Sequence, residues 1–510
     1  MPSLYPRVRR RLVYAPWLAM PAALAALFLI IPLIAVINRV PWESFVDLIV
    51  NPSSQMALWL SLRTCLIATM ITVLLGVPFA MVMARTRQEW WARLLRIVVL
   101  LPMVLPPVVA GLALLLAWGR HGLIGKYLNI LGISVSFSTI AVIIAQVFVS
   151  LPFLITSLEG ALRAQGEAYE ETARVLGAGR SRTFFSVSLP LMLPALVSGI
   201  ALSFARSMGE FGATITFAGS LEGVTRTMPL EIYLQREVNT DQALALALVL
   251  ILLAVAMLVI ANSASAFPRT SAAQPHHCDD VVACDIPQIA RHSDRSAPSI
   301  TVHARVAQRS VDLDLELAGG SATAVMGPNG SGKSTLLGLI AGTVEPTQGS
   351  VEYDRRSPRV VLLQQNPLLF PHLNVVRNVE FGLRARGENR QSARERAMHE
   401  LELVGMSAFA KRASWQLSGG QAQRVAIARA MATDPDVVLL DEPFAGLDEY
   451  TTDRVRQGFQ HRLSHESVTT VLVTHDPVDA QYLARDVVIL RHGRIWRRFS
   501  VEEHFGGISQ

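Results

Sequence analysis

The sequence predicts an α-helical membrane domain of six spans followed by a soluble α/β domain built around a P-loop. Three observations carry this. Apolar residues concentrate before about residue 262 in a 510-residue chain that is 51% hydrophobic, with a mean hydropathy of +0.36. The remainder reads as an ordinary soluble α/β domain. Within it, Gly327-Pro328-Asn329-Gly330-Ser331-Gly332-Lys333-Ser334-Thr335 fits G-x-x-x-x-G-K-[ST], a pattern that cradles a nucleoside triphosphate. One polypeptide carrying both implies ATP hydrolysis coupled to something that crosses a bilayer.

A bilayer core needs about 20 apolar residues per helix. Six stretches qualify: Trp17–Ile37, Thr64–Ala84, Ile97–Trp118, Thr139–Leu158, Pro190–Ser207 and Asp241–Ala261. Prolines 32, 78, 102, 106 and 107 fall inside them, which membrane helices tolerate where neighbours re-satisfy the freed carbonyls. The run from Trp17 is longer than a signal-peptide core and no clear cleavage site follows it, so it is expected to be retained as the first span.

Net charge is +6, carried almost wholly by Arg, since Lys126, Lys333 and Lys411 are the only lysines. Much of the Arg flanks apolar spans, which fits a positive-inside bias rather than a nucleic-acid-binding face. Arg7, Arg9, Arg10 and Arg11, then Arg85, Arg87, Arg93 and Arg96, then Arg163, Arg174, Arg180 and Arg182 fall on one side, which is therefore expected to be cytoplasmic. Six spans return the chain to that side, where ATP is. The expected location is the cytoplasmic (inner) membrane, with the N-terminus and the P-loop domain in the cytoplasm.

Domain limits follow from composition: 1–262 for the membrane domain, 263–299 for a flexible tether rich in Ser, Ala, Pro, His and Asp, and 300–510 for the nucleotide-binding domain. Cys278 and Cys284 lie near His276 and His277 in that tether, at a spacing that matches no standard zinc pattern; they are read as solvated linker in a reducing compartment. Cys65 is read as a small core residue.

The loop between the fourth and fifth spans reads Glu171-Thr172-Ala173-Arg-Val-Leu-Gly177, then nine residues, then Val187-Ser-Leu189-Pro190. Gly177 and Gly179 break a short helix. The loop resembles the EAA coupling loop of ABC importer permeases, with Thr172 where Ala is usual. The resemblance implies a helix that turns at Gly177 and docks on the ATPase, with Glu171, Ala173, Gly177, Leu189 and Pro190 as its marker residues.

Further along, Arg206-Ser-Met-Gly209-Glu210-Phe211-Gly212-Ala213-Thr214-Ile-Thr216-Phe217, together with Leu105-Pro106-Pro107 and Thr225-Arg226-Thr227-Met-Pro229, resembles the permease of molybdate-type ABC importers over roughly residues 55–262. Sulfate permeases are close relatives, so an oxyanion is implied more strongly than molybdate itself. Arg206 and Glu210 stand i, i+4 on a helix. They form either an intrahelical ion pair or a pathway element, since ionisable residues at membrane depth tend to be functional. Thr214 and Thr216 join them as pathway candidates.

In the second half, Thr323–Met326 is a strand leading into the P-loop. Lys333 is placed on the β/γ-phosphates, and Ser334 is assigned to Mg²⁺. Downstream stand Leu417-Ser418-Gly419-Gly420-Gln421, then Val437–Leu440 leading to Asp441-Glu442-Pro443. Gly446-Leu447-Asp448 and Val471–Thr474 leading to His475 follow. These resemble, in order, the signature, Walker B, D-loop and switch-histidine motifs of ABC ATPases. Gln365, before Leu-Leu-Phe370-Pro371-His372, takes the Q-loop position.

The resemblance implies Mg²⁺ on Ser334, Asp441 and Gln365, with Glu442, His475 and Gln365 as catalytic residues. Nucleotide contacts come from the P-loop, Ser418, Gly419, Gly420, Gln421 and Asp448. ABC ATPases usually stack adenine on an aromatic residue upstream of the P-loop; Ala304–Val311 has none, and Arg309 could stack instead. No C-terminal oxyanion-binding domain is expected after Arg491.

The fold class expected is thus a six-span α-helical membrane domain fused to an α/β P-loop ABC ATPase domain, with ATP and Mg²⁺ as cofactors. The expected activity is ATP-driven molybdate import by a homodimer, served by an extracytoplasmic molybdate-binding protein and involving no nucleic acid. Sulfate/thiosulfate or tungstate import is the nearest alternative. A non-transporting membrane ABC ATPase with a signalling or remodelling role is an alternative of another class.

Overall fold

A computed structural model describes residues 19–86, 88–265, 297–445, 452–453, 456–457, 460 and 468–502. The N-terminal Arg cluster, Cys278, Cys284 and the Gly446–Asp448 motif lie outside the described residues. Two compact units emerge, one of residues 1–164 with 194–267, the other of residues 165–193 with 268–510.

Among the described residues up to 265 the helices are α1 (Ala19–Arg39), α2 (Phe45–Val50), α3 (Pro52–Arg85), α4 (Glu89–Val104), α5 (Pro107–Trp118), α6 (Gly125–Ile130), α7 (Thr139–Gln165), α8 (Ala168–Val175), α9 (Arg180–Thr183), α10 (Leu189–Met208), α11 (Gly212–Ala218), α12 (Met228–Val238) and α13 (Thr240–Ser265). Five helical stretches among the described residues are long and apolar enough to cross a membrane, including Arg180–Met208, where a π-turn at Phe184–Ser188 joins α9 to α10.

The expected third span is not one straight helix. It is a pair, Trp90–Val104 and Pro107–Trp118, bent by 114°. Leu105 precedes a proline and is extended, at φ −63° and ψ 133°; Pro106 at ψ 137° prolongs the break before Pro107 starts the next helix. A residue before proline is pushed out of the helical region, and proline supplies no N–H to bridge the gap.

In the first unit, small polar side chains join the helices. Gln146 Nε2 donates to Thr64 Oγ1 at 3.2 Å, the Thr72 and Ser150 hydroxyls meet at 3.2 Å, and Ser203 Oγ donates to the Ser150 carbonyl at 3.1 Å. In hydrocarbon, where no water competes, such residues let backbones approach and still satisfy their polar atoms. Glu159 is buried and held by Arg96 at 2.5 Å and Arg163 at 2.8 Å.

In the second unit, β1 (Ile300–Val306), β2 (Val311–Leu317) and β4 (Gln348–Tyr353) form an antiparallel sheet in the order β2-β1-β4. β2 alternates buried Val311, Leu313, Leu315 and Leu317 with outward Asp312, Asp314 and Glu316, the period-2 pattern of a half-buried strand. The larger sheet runs β5-β6-β7-β3-β8-β9, from β3 (Ala322–Met326), β5 (Val360–Leu363), β6 (Val437–Asp441), β7 (Thr469–Val473), β8 (Asp486–Arg491) and β9 (Arg494–Ser500). All neighbours are parallel except β8–β9.

The runs Val437–Leu440 and Thr469–Val473 are buried throughout, as parallel strands covered on both faces must be. Around the sheets stand α14 (Lys333–Ile340), α15 (Val375–Ala385), α16 (Arg390–Leu403), α17 (Gly419–Met431) and α18 (Pro477–Leu483).

The breaks at Leu105–Pro106 and at Gly209–Phe211 pack together through glycine. A Cβ at Gly212 would lie 2.3 Å from Pro107 Cβ, and one at Gly111 would lie 2.7 Å from Thr216 Cβ. Gly212→Ala should therefore force α5 and α11 apart at a cost of about 1–3 kcal/mol. Thermal unfolding of the detergent-solubilised chain should show a lower midpoint for Gly212→Ala. Gly160→Ala, whose methyl group meets nothing within 4 Å, should leave the midpoint unchanged or raised. Equal midpoints for the two variants would refute the close packing.

Candidate nucleotide site and coupling loop

Strand register gathers the motifs. Val325 of β3 is level with Val473 of β7, and Val473 is level with Asp441 at the end of β6. The P-loop, the Asp441-Glu442 pair and the Thr474-His475 turn thus all leave the sheet at its carboxyl edge, where parallel α/β sheets bind ligands. On the far side of β6, Leu363 is level with Leu440, so Gln364 and Gln365 leave at the same edge.

The P-loop backbone requires its glycines. Gly327, Gly330 and Gly332 have φ of 146°, 77° and 103°, and a Cβ at Gly327 would lie 2.3 Å from the Leu490 carbonyl. This leaves a cradle of backbone around the start of α14. Lys333 Nζ donates to the carbonyls of Gly327 and Pro328 at 2.8 and 3.0 Å, so its ammonium sits over the loop. Ser331 Oγ is buried with no hydrogen-bond partner among the described residues.

Ser334 Oγ donates to Asp441 Oδ2 at 3.3 Å. Burial pushes the Asp441 carboxyl above its ordinary range, opposed by the Ser334 hydroxyl, raised further by Glu442 and opposed again by Lys333. Gln365 Nε2 donates to Glu442 Oε2 at 2.9 Å, and His475 Nδ1 stands 3.5 Å from Glu442 Oε1. Glu442 itself has a positive φ of 48°, and its N–H donates to the Val473 carbonyl. This turn aims the carboxylate between Gln365 and His475.

A cleft of ≈ 320 Å³ is lined by Ser334, Gln365, Asp441, Leu337, Arg309 and Glu171. A hydroxyl, a carboxylate and an amide oxygen are hard donors that suit Mg²⁺, and the glycine cradle suits phosphate. The residues present therefore fit both groups. Arg309 lies in this cleft with Nη1 donating to Thr335 Oγ1 at 3.4 Å.

The signature segment opens α17. Ser418 Oγ accepts from Gln421 N at 3.3 Å, while Gln421 Oε1 accepts from Ser418 N at 3.1 Å. This reciprocal capping box leaves the first-turn amides of Gly419 and Gly420 at a positive helix end. Gln421 thus has a structural task that sequence reading did not assign. Gln423 was missed altogether: it is buried, and its Nε2 donates to the Pro443 carbonyl at 3.0 Å, tying α17 to the turn after Asp441-Glu442.

The Gln165–Leu193 loop belongs to this same unit. Ala173, Leu176, Ala178 and Val187 form one buried cluster with Phe370 and Phe381. Gly177 turns the chain at φ 94° against the Arg386 side chain, and His372 Nε2 lies 2.8 Å from the Ser186 carbonyl. Burial lowers the His372 pKa, opposed by that backbone contact, so the neutral ring is favoured and can donate there.

Thr172 is accommodated because its hydroxyl donates back to the Ala168 carbonyl at 2.9 Å. Glu171 faces the nucleotide cleft, Ala173 the apolar cluster, and Leu189-Pro190 start α10 beyond the π-turn.

Of the pathway candidates, Arg206 and Glu210 form an ion pair at 2.8 Å, and Glu210 Oε1 also accepts from Ala213 N at 2.8 Å at the start of α11. Thr216 Oγ1 donates to the Gly212 carbonyl, whereas Thr214 Oγ1 is buried without a hydrogen-bond partner among the described residues.

Two family models match the chain: "Binding-protein-dependent transport system inner membrane component" over residues 76–269, and "ABC transporter" over residues 311–445. The chain is 56% identical over 229 residues to the molybdenum transport system permease protein ModB of Mycobacterium tuberculosis, covering 45% of this chain and 86% of that protein. It is 42% identical over 214 residues to the molybdenum import ATP-binding protein ModC of the same organism, covering 38% of this chain and 58% of that protein. A sulfate/thiosulfate import ATP-binding protein CysA from Nephroselmis olivacea is 41% identical over 204 residues, covering 38% of this chain and 60% of that protein. The chain thus spans less than two thirds of these ATP-binding relatives. With its helical membrane unit and its parallel-sheet P-loop unit, the chain belongs to the binding-protein-dependent ABC transport permeases and carries its ABC ATPase domain in the same polypeptide.

Proposed function

We propose that this chain is one half of an ATP-driven molybdate importer, acting as a homodimer and receiving its oxyanion from an extracytoplasmic binding protein. The observation that carries the reading is the 56% identity of its membrane region to ModB. The membrane region is the part of the chain that an oxyanion must pass. The N-terminus and the ATPase domain are assigned to the cytoplasm, on the side of the Arg-rich loops.

In this reading Lys333 and the P-loop amides of Gly327–Thr335 bind phosphates, and Ser334, Asp441 and Gln365 hold Mg²⁺. The cation, when bound, neutralises charge on the phosphates. Glu442 orients or deprotonates the attacking water, and Gln365 and His475 fix its carboxylate. Ser418 with the Gly419 and Gly420 amides, at the capped start of α17, contacts the nucleotide held by the second copy, and Asp448 is assigned as a further nucleotide contact. One chain supplies one P-loop and one signature segment, so a homodimer completes two sites. Glu171, Ala173, Gly177, Leu189 and Pro190 pass closure of the ATPases to the membrane path. Arg206, Glu210, Thr214 and Thr216 remain pathway candidates.

The likeness to CysA supports a sulfate/thiosulfate reading, but it lies in the ATPase half, which does not select the oxyanion. Tungstate shares the charge and tetrahedral shape of molybdate. ATPase stimulation of the purified full chain by a binding protein loaded with molybdate, tungstate or sulfate separates these readings. Stimulation by molybdate is expected, and stimulation by sulfate alone would overturn the assignment. In the same assay Glu442→Gln should lower turnover by at least about 100-fold, the scale of losing a catalytic base, while ATP binding persists. Retained steady hydrolysis would contradict the role of Glu442.

A further inference from the structure

Arg429 lies near the C-terminal end of α17, the helix whose N-terminus carries the signature segment. It is 5% exposed and forms no ion pair among the described residues. Its Nη1 donates to the Leu368 carbonyl at 2.9 Å and its Nη2 to the Pro367 carbonyl at 2.8 Å. Its guanidinium stands 5.5 Å from the centre of the Phe370 ring. Burial pulls its pKa down to about 10, with Tyr169 acting in the opposite direction, so the group remains a cation at neutral pH.

A buried cation without a carboxylate partner is costly unless its donors are satisfied and an aromatic face supplies negative potential. The two carbonyls and the Phe370 ring meet that need. The carbonyls come from a turn in which Leu368 takes a positive φ of 42°, a conformation that a branched side chain adopts only when its surroundings hold it.

Phe370 is fixed from other sides as well. Asn378 Oδ1 accepts from Phe370 N at 2.7 Å, Asn378 Nδ2 donates to the Phe370 carbonyl at 3.2 Å, and Ser414 Oγ donates to that carbonyl at 3.0 Å. Its ring centre lies 4.6 Å from Phe381 and 6.4 Å from Tyr169. Tyr169 is part of α8, at the foot of the loop. Burial raises its phenol pKa and Arg429 opposes that shift.

We infer that Arg429 is a positioning residue through which the signature helix sets the permease loop, acting by way of the 367–370 turn, the Phe370 ring and Tyr169. Gln423 ties the same helix to the turn after Glu442, so a shift of α17 reaches both the hydrolytic turn and the loop. The inference rests on the reading of Gln165–Leu193 as the coupling loop.

The test is amide hydrogen exchange of the full chain in lipid nanodiscs, with and without Mg²⁺ and a non-hydrolysable ATP analogue. In the unmodified chain the analogue should change exchange at residues 168–176 by about tenfold, and at the P-loop as well. Arg429→Lys, which keeps a cation but loses the planar fork, and Tyr169→Leu, which removes the ring, should each reduce the change at 168–176 to under about twofold and leave the P-loop change intact. Tyr169→Phe should restore the full response. An undiminished response at 168–176 in Arg429→Lys and Tyr169→Leu would overturn the inference. Loss at the P-loop too would make Arg429 a general stabiliser and equally overturn it. Because the readout is driven by nucleotide alone, a wrong choice of oxyanion leaves it unchanged.

Discussion

Packing of the Gln165–Leu193 loop on Phe370 is the interaction on which the rest of the arrangement depends. The loop places Ala173, Leu176, Ala178 and Val187 in one apolar cluster with Phe370 and Phe381. That cluster explains why a segment lying between two apolar helices in sequence belongs to the same compact unit as the ATPase. Burial of small and medium apolar side chains sets the affinity of the contact. The polar contact of His372 with the Ser186 carbonyl and the close approach of the Arg386 side chain to Gly177 set its register. Gly177 is needed because the loop must turn at positive φ directly over the Arg386 side chain.

The chemistry stands on the same sheet edge. Parallel pairing of β3 with β7 and of β7 with β6 brings the phosphate cradle, the Asp441-Glu442 pair and His475 to one level without long-range sequence signals. Glu442 is aimed by a backbone turn and by two side chains, while Asp441 is paired with Ser334. The two adjacent carboxylates therefore have different neighbours. Gln365 contacts Glu442 at the start of the segment that continues to Phe370. Gln365, which holds Glu442, and Phe370, which packs on the loop, are thus a handful of residues apart on one segment.

Much of this was legible in the sequence because each ATPase motif is local: a strand, a turn and a few side chains at fixed spacing. Five of the six apolar spans were equally legible, since length and hydropathy define them. The remaining one, the third span Ile97–Trp118, concealed a 114° bend, because composition alone does not distinguish a kinked helix from one that Leu105-Pro106 breaks outright. Arg206 and Glu210 form the i, i+4 pair that their spacing allows, but the additional hold of Glu210 on the start of α11 depends on where the chain restarts after Gly209. Arg429 and Gln423 were not singled out because their partners lie 61 and 20 residues away and are backbone carbonyls, which carry no sequence signal. Arg309, which the sequence raised as a stand-in for the aromatic residue missing before the P-loop, does line the cleft.

The most direct measurement is uptake of radiolabelled molybdate into proteoliposomes containing the purified chain, with ATP enclosed and a loaded binding protein outside. The account predicts accumulation that requires both ATP and the binding protein and that disappears in Glu442→Gln. Steady ATP hydrolysis by the reconstituted chain, with no oxyanion uptake under the same conditions, would contradict it and favour a membrane ABC ATPase that moves no solute.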